Sequence, residues 1–135
     1  MTISLIAALE EIEEASLGGD RLRTLKKHDS AALRGLLLYS LDPSTTFGIK
    51  KIPPPSAPGV ASMSDADWWP LLVSDILIPL SERTLSGNKA KQAISSFLGL
   101  CSPTEVKWTE RILKQDLRLG IGAKDVNKVL PGTIP

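Results

Sequence analysis

The sequence predicts an all-α fold, a single compact helical domain of about six to seven helices with one long Pro-rich loop. Three observations carry this. Apolar residues recur at spacings of three and four in segment after segment. Most of those segments open on a serine, aspartate or Ser-Pro-x-Glu start signal. Aromatic residues make up only 4%, and β-branched residues do not gather in alternating runs. With 135 residues, 42% hydrophobic and 23% charged, the chain amounts to one domain over 1–135, apolar enough to bury a core. It contains no convincing strand and no internal repeat.

In the first segment Leu5, Ala8, Leu9, Ile12 and Ala15 share one helical face, Glu10, Glu11, Glu13 and Glu14 take the others, and Gly18-Gly19 is the expected stop. A short helix from Asp20 to Lys27 turns Leu22 and Leu25 inward. Asp29 or Ser30 caps a third, with Leu33, Leu36, Leu37 and Leu41 as its stripe and Asp42-Pro43 as its end. Ser44 to Ser64 holds Pro53, Pro54, Pro55 and Pro58 with Gly48 and Gly59, and reads as an extended surface loop, either mobile or functional. Ser64 to Asp67 then caps a helix that places Pro70 in its first turn. Leu71, Leu72, Ile76 and Leu80 continue its apolar face, and Pro79 should kink or break it. A fifth helix runs from Gly87 to about Leu100 with Ser86 as its cap and Ala90, Ala93, Ile94, Phe97 and Leu98 inside. Ser102-Pro103-Thr104-Glu105 is a capping box that starts the sixth, which carries Val106, Trp108, Ile112 and Leu113 to about Asp116. The last spans Ala123 to Leu130, before Pro131-Gly132.

Composition excludes several functions. The apolar runs Leu36–Leu38 and Ile76–Leu80 are far too short for a membrane span, and Met1-Thr2-Ile3-Ser4 lacks the basic start of a signal peptide. One cysteine, Cys101, and one histidine, His28, leave no disulfide, no metal-ligand cluster and almost no material for a nucleophilic triad. His28, within Lys26-Lys27-His28-Asp29, reads as a solvated loop residue, and Cys101 as inert. Trp68, Trp69 and Trp108 read as packing residues rather than stacking platforms.

Charge is unevenly placed. Residues 1–20 hold five acids and no lysine or arginine, whereas residues 83–128 hold nine bases against four acids, a balance of −5 against +5. This favours an anionic partner. The sharper feature is Arg118-Leu119-Gly120-Ile121-Gly122-Ala123-Lys124. Its glycines allow close backbone approach, the following helix offers unpaired N–H groups, and two cations flank the turn, which together suit a phosphate. Ser86-Gly87-Asn88-Lys89, with Lys91, repeats the logic at a second helix start. The predicted contact set is Ser86, Gly87, Asn88, Lys89, Lys91, Arg118, Gly120, Ile121, Gly122, Ala123, Lys124, Asn127 and Lys128. A dinucleotide fingerprint is excluded, because Asp125 stands where its third glycine belongs and no strand precedes the turn.

These residues resemble a known family. Arg83-Thr84-Leu85-Ser86-Gly87-Asn88-Lys89-Ala90 is similar to the R-x-L-S/T-G-N-x-A stretch of ATP-dependent DNA ligases, and Leu113 to Gly120 to their L-x-x-D-L-R-x-G stretch. Asn127 to Pro135 resembles the N-K-V-x-P-G-x-I-P of T-even-type bacteriophage ligases, and Phe47-Gly48-Ile49-Lys50-Lys51-Ile52-Pro53 their Y-x-I-K-K-x-P element. The resemblance implies the all-helical N-terminal DNA-binding domain, which grips nicked duplex DNA through phosphates. It also implies roles in replication, repair and recombination and a cytoplasmic setting, in the nucleoid or the infected host.

The family's K-x-D-G nucleophile motif has no match. Lys27-His28-Asp29-Ser30 and Lys114-Gln115-Asp116-Leu117 both lack the glycine. The expectation is therefore a non-catalytic chain with no cofactor, the ATP and Mg²⁺ of a ligase belonging to nucleotidyltransferase and OB domains that are absent here. Whether it is an excised or a free-standing domain stays open. Expected partners are duplex or nicked DNA, with a catalytic ligase domain or a sliding clamp as others; no membrane is expected, and nothing suggests an obligate dimer. The rival reading is a helical adaptor that docks on a replication factor through loop 53–58 and the acidic first helix.

Overall fold

The computed structural model describes residues 4–15, 19–56 and 63–135. Among these, α1 spans Leu5–Glu14, α2 Gly19–Lys27, α3 Ala31–Leu41, α4 Asp65–Leu72, α5 Ile78–Ser81, α6 Gly87–Gly99, α7 Pro103–Leu113 and α8 Ala123–Val129, and no strand occurs. The all-α expectation holds.

The capping chemistry is largely as the sequence dictates. Ser30 accepts the Leu33 N–H and Ser64 that of Asp67, and Ser102 and Glu105 form the reciprocal box. Ser4, unforeseen, caps α1 through the Ala7 N–H at 3.1 Å. The expected glycine stop after the first helix is not what ends it. α1 closes at Glu14, Gly18 lies outside the described residues, and Gly19 instead opens α2. The Arg21 guanidinium meets the carbonyls at the end of α1, donating to Ala15 O at 3.0 Å and Glu13 O at 2.9 Å, and reaches Leu119 O on the far side. It thereby satisfies acceptors that the helix leaves open and ties them to the 118–124 turn.

Pro79 neither breaks nor ends its helix. Val73–Leu77 widens into a π-helical turn in which the Ile78 N–H reaches Val73 O, and the backbone passes through Pro79 still helical. The wide turn relieves the clash that a proline ring makes with the carbonyl four residues earlier. It also resets rotation. Residues four apart on an α-helix drift by about 40° per step, yet Trp68, Leu72, Ile76 and Leu80 all remain buried on one side. Leu71, expected inside, is 39% exposed. Pro70 sits in the second turn of α4 rather than the first, on its exposed side.

The core joins α1, α3, α4, α6 and α7 around Trp68 and Trp108, both fully buried. The Trp68 indole donates to Thr109 Oγ1 at 2.8 Å, and that hydroxyl donates to Glu105 O at 2.7 Å. Trp69 is half-buried against Tyr39. The packing reading of the tryptophans is the one observed. Cys101 is buried, and desolvation pushes its thiol up to about 12, which leaves it unreactive. Residues 44–56 lie on the body rather than free of it. Phe47 is buried, the Ser56 N–H donates to Ser95 O at 3.0 Å, and Ser95 Oγ donates to Pro54 O at 2.8 Å. Pro58 and Gly59 lie outside the described residues.

Candidate nucleic-acid interface

α1 lies against α7, and its acids consume two of the nine bases: Lys107 Nζ pairs with Glu10 at 2.6 Å and Glu13 at 3.1 Å, and Arg111 pairs with Glu13. Both cations lie over the Trp108 ring, 5.1 and 4.8 Å from its centroid, and the indole N–H donates to Glu10 at 3.2 Å. The Arg111 guanidinium, against the opposing effect of burial and helped by Lys107, holds the Glu13 carboxyl below the usual carboxylate range. Glu11 is likewise lowered, by His28 at 2.8 Å and then by Lys27 at 3.2 Å. His28 is thus a half-buried clasp between α1 and α2, not a solvated loop residue.

Lys89, Lys91, Lys114, Arg118, Lys124 and Lys128 are exposed, and none makes an ion pair among the described residues. The structure therefore splits the basic half of the chain into an internal junction and an outward set.

The turn before α8 is built by alternation. Leu117 and Leu119 are buried, and between them Arg118 is exposed, held at φ 56° with its N–H on Asp116 Oδ1 at 3.2 Å. Gly120 follows at φ 68°, a left-handed value that glycine adopts without a side-chain penalty. Gly120, Gly122 and Lys124 are exposed, while Ile121 and Ala123 are half-buried against the core. Two details were missed in the sequence. The Asp125 carboxylate accepts the Gly122 N–H at 3.1 Å, so the start of α8 already holds an anion of its own. The Asn127 amide is committed to Ile134, donating to its carbonyl and accepting its N–H, both at 2.9 Å. It folds the tail back and is not free for a ligand.

The start of α6 differs. Ser86, Gly87, Asn88 and Lys89 are all exposed. Ser86 occupies the cap position, yet its hydroxyl makes no capping bond, unlike Ser4, Ser30, Ser64 and Ser102. The first N–H groups of a thirteen-residue helix are left without a side-chain acceptor, beside Lys89 and Lys91. α6 is seated on α7 and the π-helical turn, and α8 on α2, so separate elements hold the two corners.

Several of the features offered for an adaptor are engaged internally. Glu10, Glu11 and Glu13 pair within the fold, and Pro54 is tied to α6. Among the described residues no group of three or more potential metal ligands occurs, and no helix is long and apolar enough to cross a membrane.

Residues 72–131 match the family described as DNA ligase N terminus. Across 138 aligned residues the chain is 28% identical to the DNA ligase of Enterobacteria phage T4, and equally to that of phage T6, covering 97% of this chain. Over residues 72–131 the chain is similar to DNA ligase N-termini. It spans 27% of the length of those two phage ligases. The solved structures Pmar-Lig_PreS3 and Pmar-Lig_Pre. share its fold, with TM-scores of 0.75 and 0.72 at 23% and 22% identity, covering 92% of this chain and 28% of theirs. The ligase match includes α6, α7 and the 118–124 turn, where the sequence motifs lie.

Proposed function

We propose that this ligase N-terminal region binds duplex DNA, nicked or intact, through backbone phosphates and without reading base sequence, in DNA replication, repair and recombination in the cytoplasm. The observation that carries the reading is the uncapped start of α6, flanked by Lys89 and Lys91, in a fold whose other serine-started helices are capped. Exposed Arg118, Lys124 and Lys128 extend it as point charges that need no helix terminus. Adenylation belongs, on this reading, to the part of a ligase that this chain does not span. Lys27 is paired with Glu11 on the surface and Lys114 is exposed beyond α7, so neither lysine has the surroundings of a nucleotide-binding nucleophile. Labelled ATP should leave no covalent AMP on the chain.

Binding to nicked and intact duplex, followed by fluorescence anisotropy over a salt series, tests the proposal. Neutralising about five phosphates gives a slope of log K on log salt of roughly −4 to −5. Arg118→Ala and Lys124→Ala should each weaken binding equally on unrelated sequences and shallow the slope by about one unit. Unchanged affinity in both would remove the 118–124 turn from the interface.

A further inference from the structure

We infer that the groove between the 46–50 strap and the end of α7 is a second phosphate-binding track, in which Lys50 and Lys114 hold a phosphodiester of the nucleic-acid backbone. The inference rests on the DNA-binding reading and assigns part of that interface to residues outside the two helix starts. The groove has a volume of about 230 Å³ and is lined by Thr46, Phe47, Lys50, Lys114 and Gln115 among others, with two lysines and no carboxylate. Lys114 also lines an adjoining cleft of about 140 Å³ with Lys107, Arg111 and Arg118, but that cleft includes Glu110 and Asp116 as well. Two of its cations are already neutralised by α1. Of the two depressions, only the first presents positive charge alone. Lys50 and Lys114 are exposed and unpaired among the described residues.

The walls are fixed by features that charge alone does not require. Gln115 takes φ 56°, turning the chain back at the end of α7. Its amide donates to Thr45 O at 2.7 Å and Tyr39 O at 3.0 Å. Arg83, also left-handed at φ 63°, donates to Thr46 Oγ1 at 2.8 Å. Gly48, at φ 68°, lies so close to the Arg83 guanidinium that a side chain there would meet it. Phe47 is buried beneath the strap. The strap is thus anchored from inside, and Lys50, two residues past its glycine, stays at the groove. A non-glycine residue held at positive φ is uncommon, and here Arg83 and Gln115 border the same strap. By contrast, an anion at the start of α8 must compete with Asp125.

The test is duplex binding by the full chain and by the Lys50→Gln/Lys114→Gln variant over a salt series, with Lys26→Gln on α2 as the exposed control. The double variant should bind nicked duplex about tenfold more weakly at low salt, with the slope shallower by about two units. The control should match wild type, and thermal melts of all three should coincide. Loss in the double variant with no loss in Arg118→Ala and Lys124→Ala would also support the groove, and would move the interface toward it. Wild-type affinity and slope in the folded double variant would overturn the groove while leaving the DNA-binding reading intact. Absence of salt-dependent binding by wild type would overturn both.

Discussion

Lys107 and Arg111 on α7 and Lys114 at its C-terminal cap fall at i, i+4 and i+7, yet they meet opposite fates. The first two are clamped over Trp108 by acids that lie almost a hundred residues earlier in the chain. The third, just past the end of the helix, faces solvent beside a groove without carboxylates. Identical charge at helical spacing therefore serves as interior fastening in one place and as available surface in the other. Lateral packing of α1 makes the difference.

The sharpest way to break the junction is Trp108→Ala. It removes a fully buried ring and the platform beneath both cations, and should cost about 3–5 kcal/mol by denaturant unfolding. A loss under 1 kcal/mol would mean that the ring does not organise this region.

Glu105 sharpens the comparison from a third environment on the same helix. It is only 1% exposed, and its Oε2 has no hydrogen-bond partner among the described residues. Burial, then the neighbouring Asp65, raise its carboxyl to about 7. A raised carboxyl means that the folded state holds a proton the unfolded state has released. Stability is therefore lost as pH rises from about 4.5 to 7. Glu105→Gln keeps an acceptor for the Ser102 N–H and removes the charge. It should raise Tm by a few degrees at pH 8 and change it little at pH 4. An equal effect at both pH values would rule out ionisation as the cause.

The smallest expected effect comes from Glu13→Gln. Its pairs are partly solvated, so the loss should be about 1 kcal/mol at neutral pH. Because the folded-state carboxyl is lowered, its contribution is present above the usual carboxylate range and fades as pH falls through the lowered value. The deficit of the variant should accordingly close in acid. Release of Arg111, while Lys107 keeps Glu10, should also steepen the salt dependence of the proposed DNA binding; an unchanged slope would place Arg111 outside reach of DNA even when unpaired.

Local chemistry was legible in the chain. The Ser102–Glu105 box, the Ser30 and Ser64 caps and the apolar stripes of α1, α3 and α6 follow from spacing alone, because caps and helical faces are set within a few residues. The 118–124 turn was legible too, since two closely spaced glycines just ahead of a helix announce a corner. What did not show was anything set by contacts distant in sequence. The −5 to +5 asymmetry looked like a surface property, but part of it is a contact between α1 and α7. Asn127 looked like a ligand residue, and its amide holds the tail. Asp125 in the sequence disqualifies a dinucleotide site, and only the fold shows it as an anion at a helix start. Lys50 and Lys114 become neighbours only through the turn at Gln115.

The π-helical turn has a consequence for lineage as well as for packing. It is equivalent to one residue added to an otherwise ordinary helix, and everything after it keeps its facing only because that residue is there. In any relative lacking the addition, the apolar row ending at Leu80 would be out of phase by about 100°. A single-position gap in Val73–Leu77, trivial by length, would mark a rearranged interior on the approach to α6.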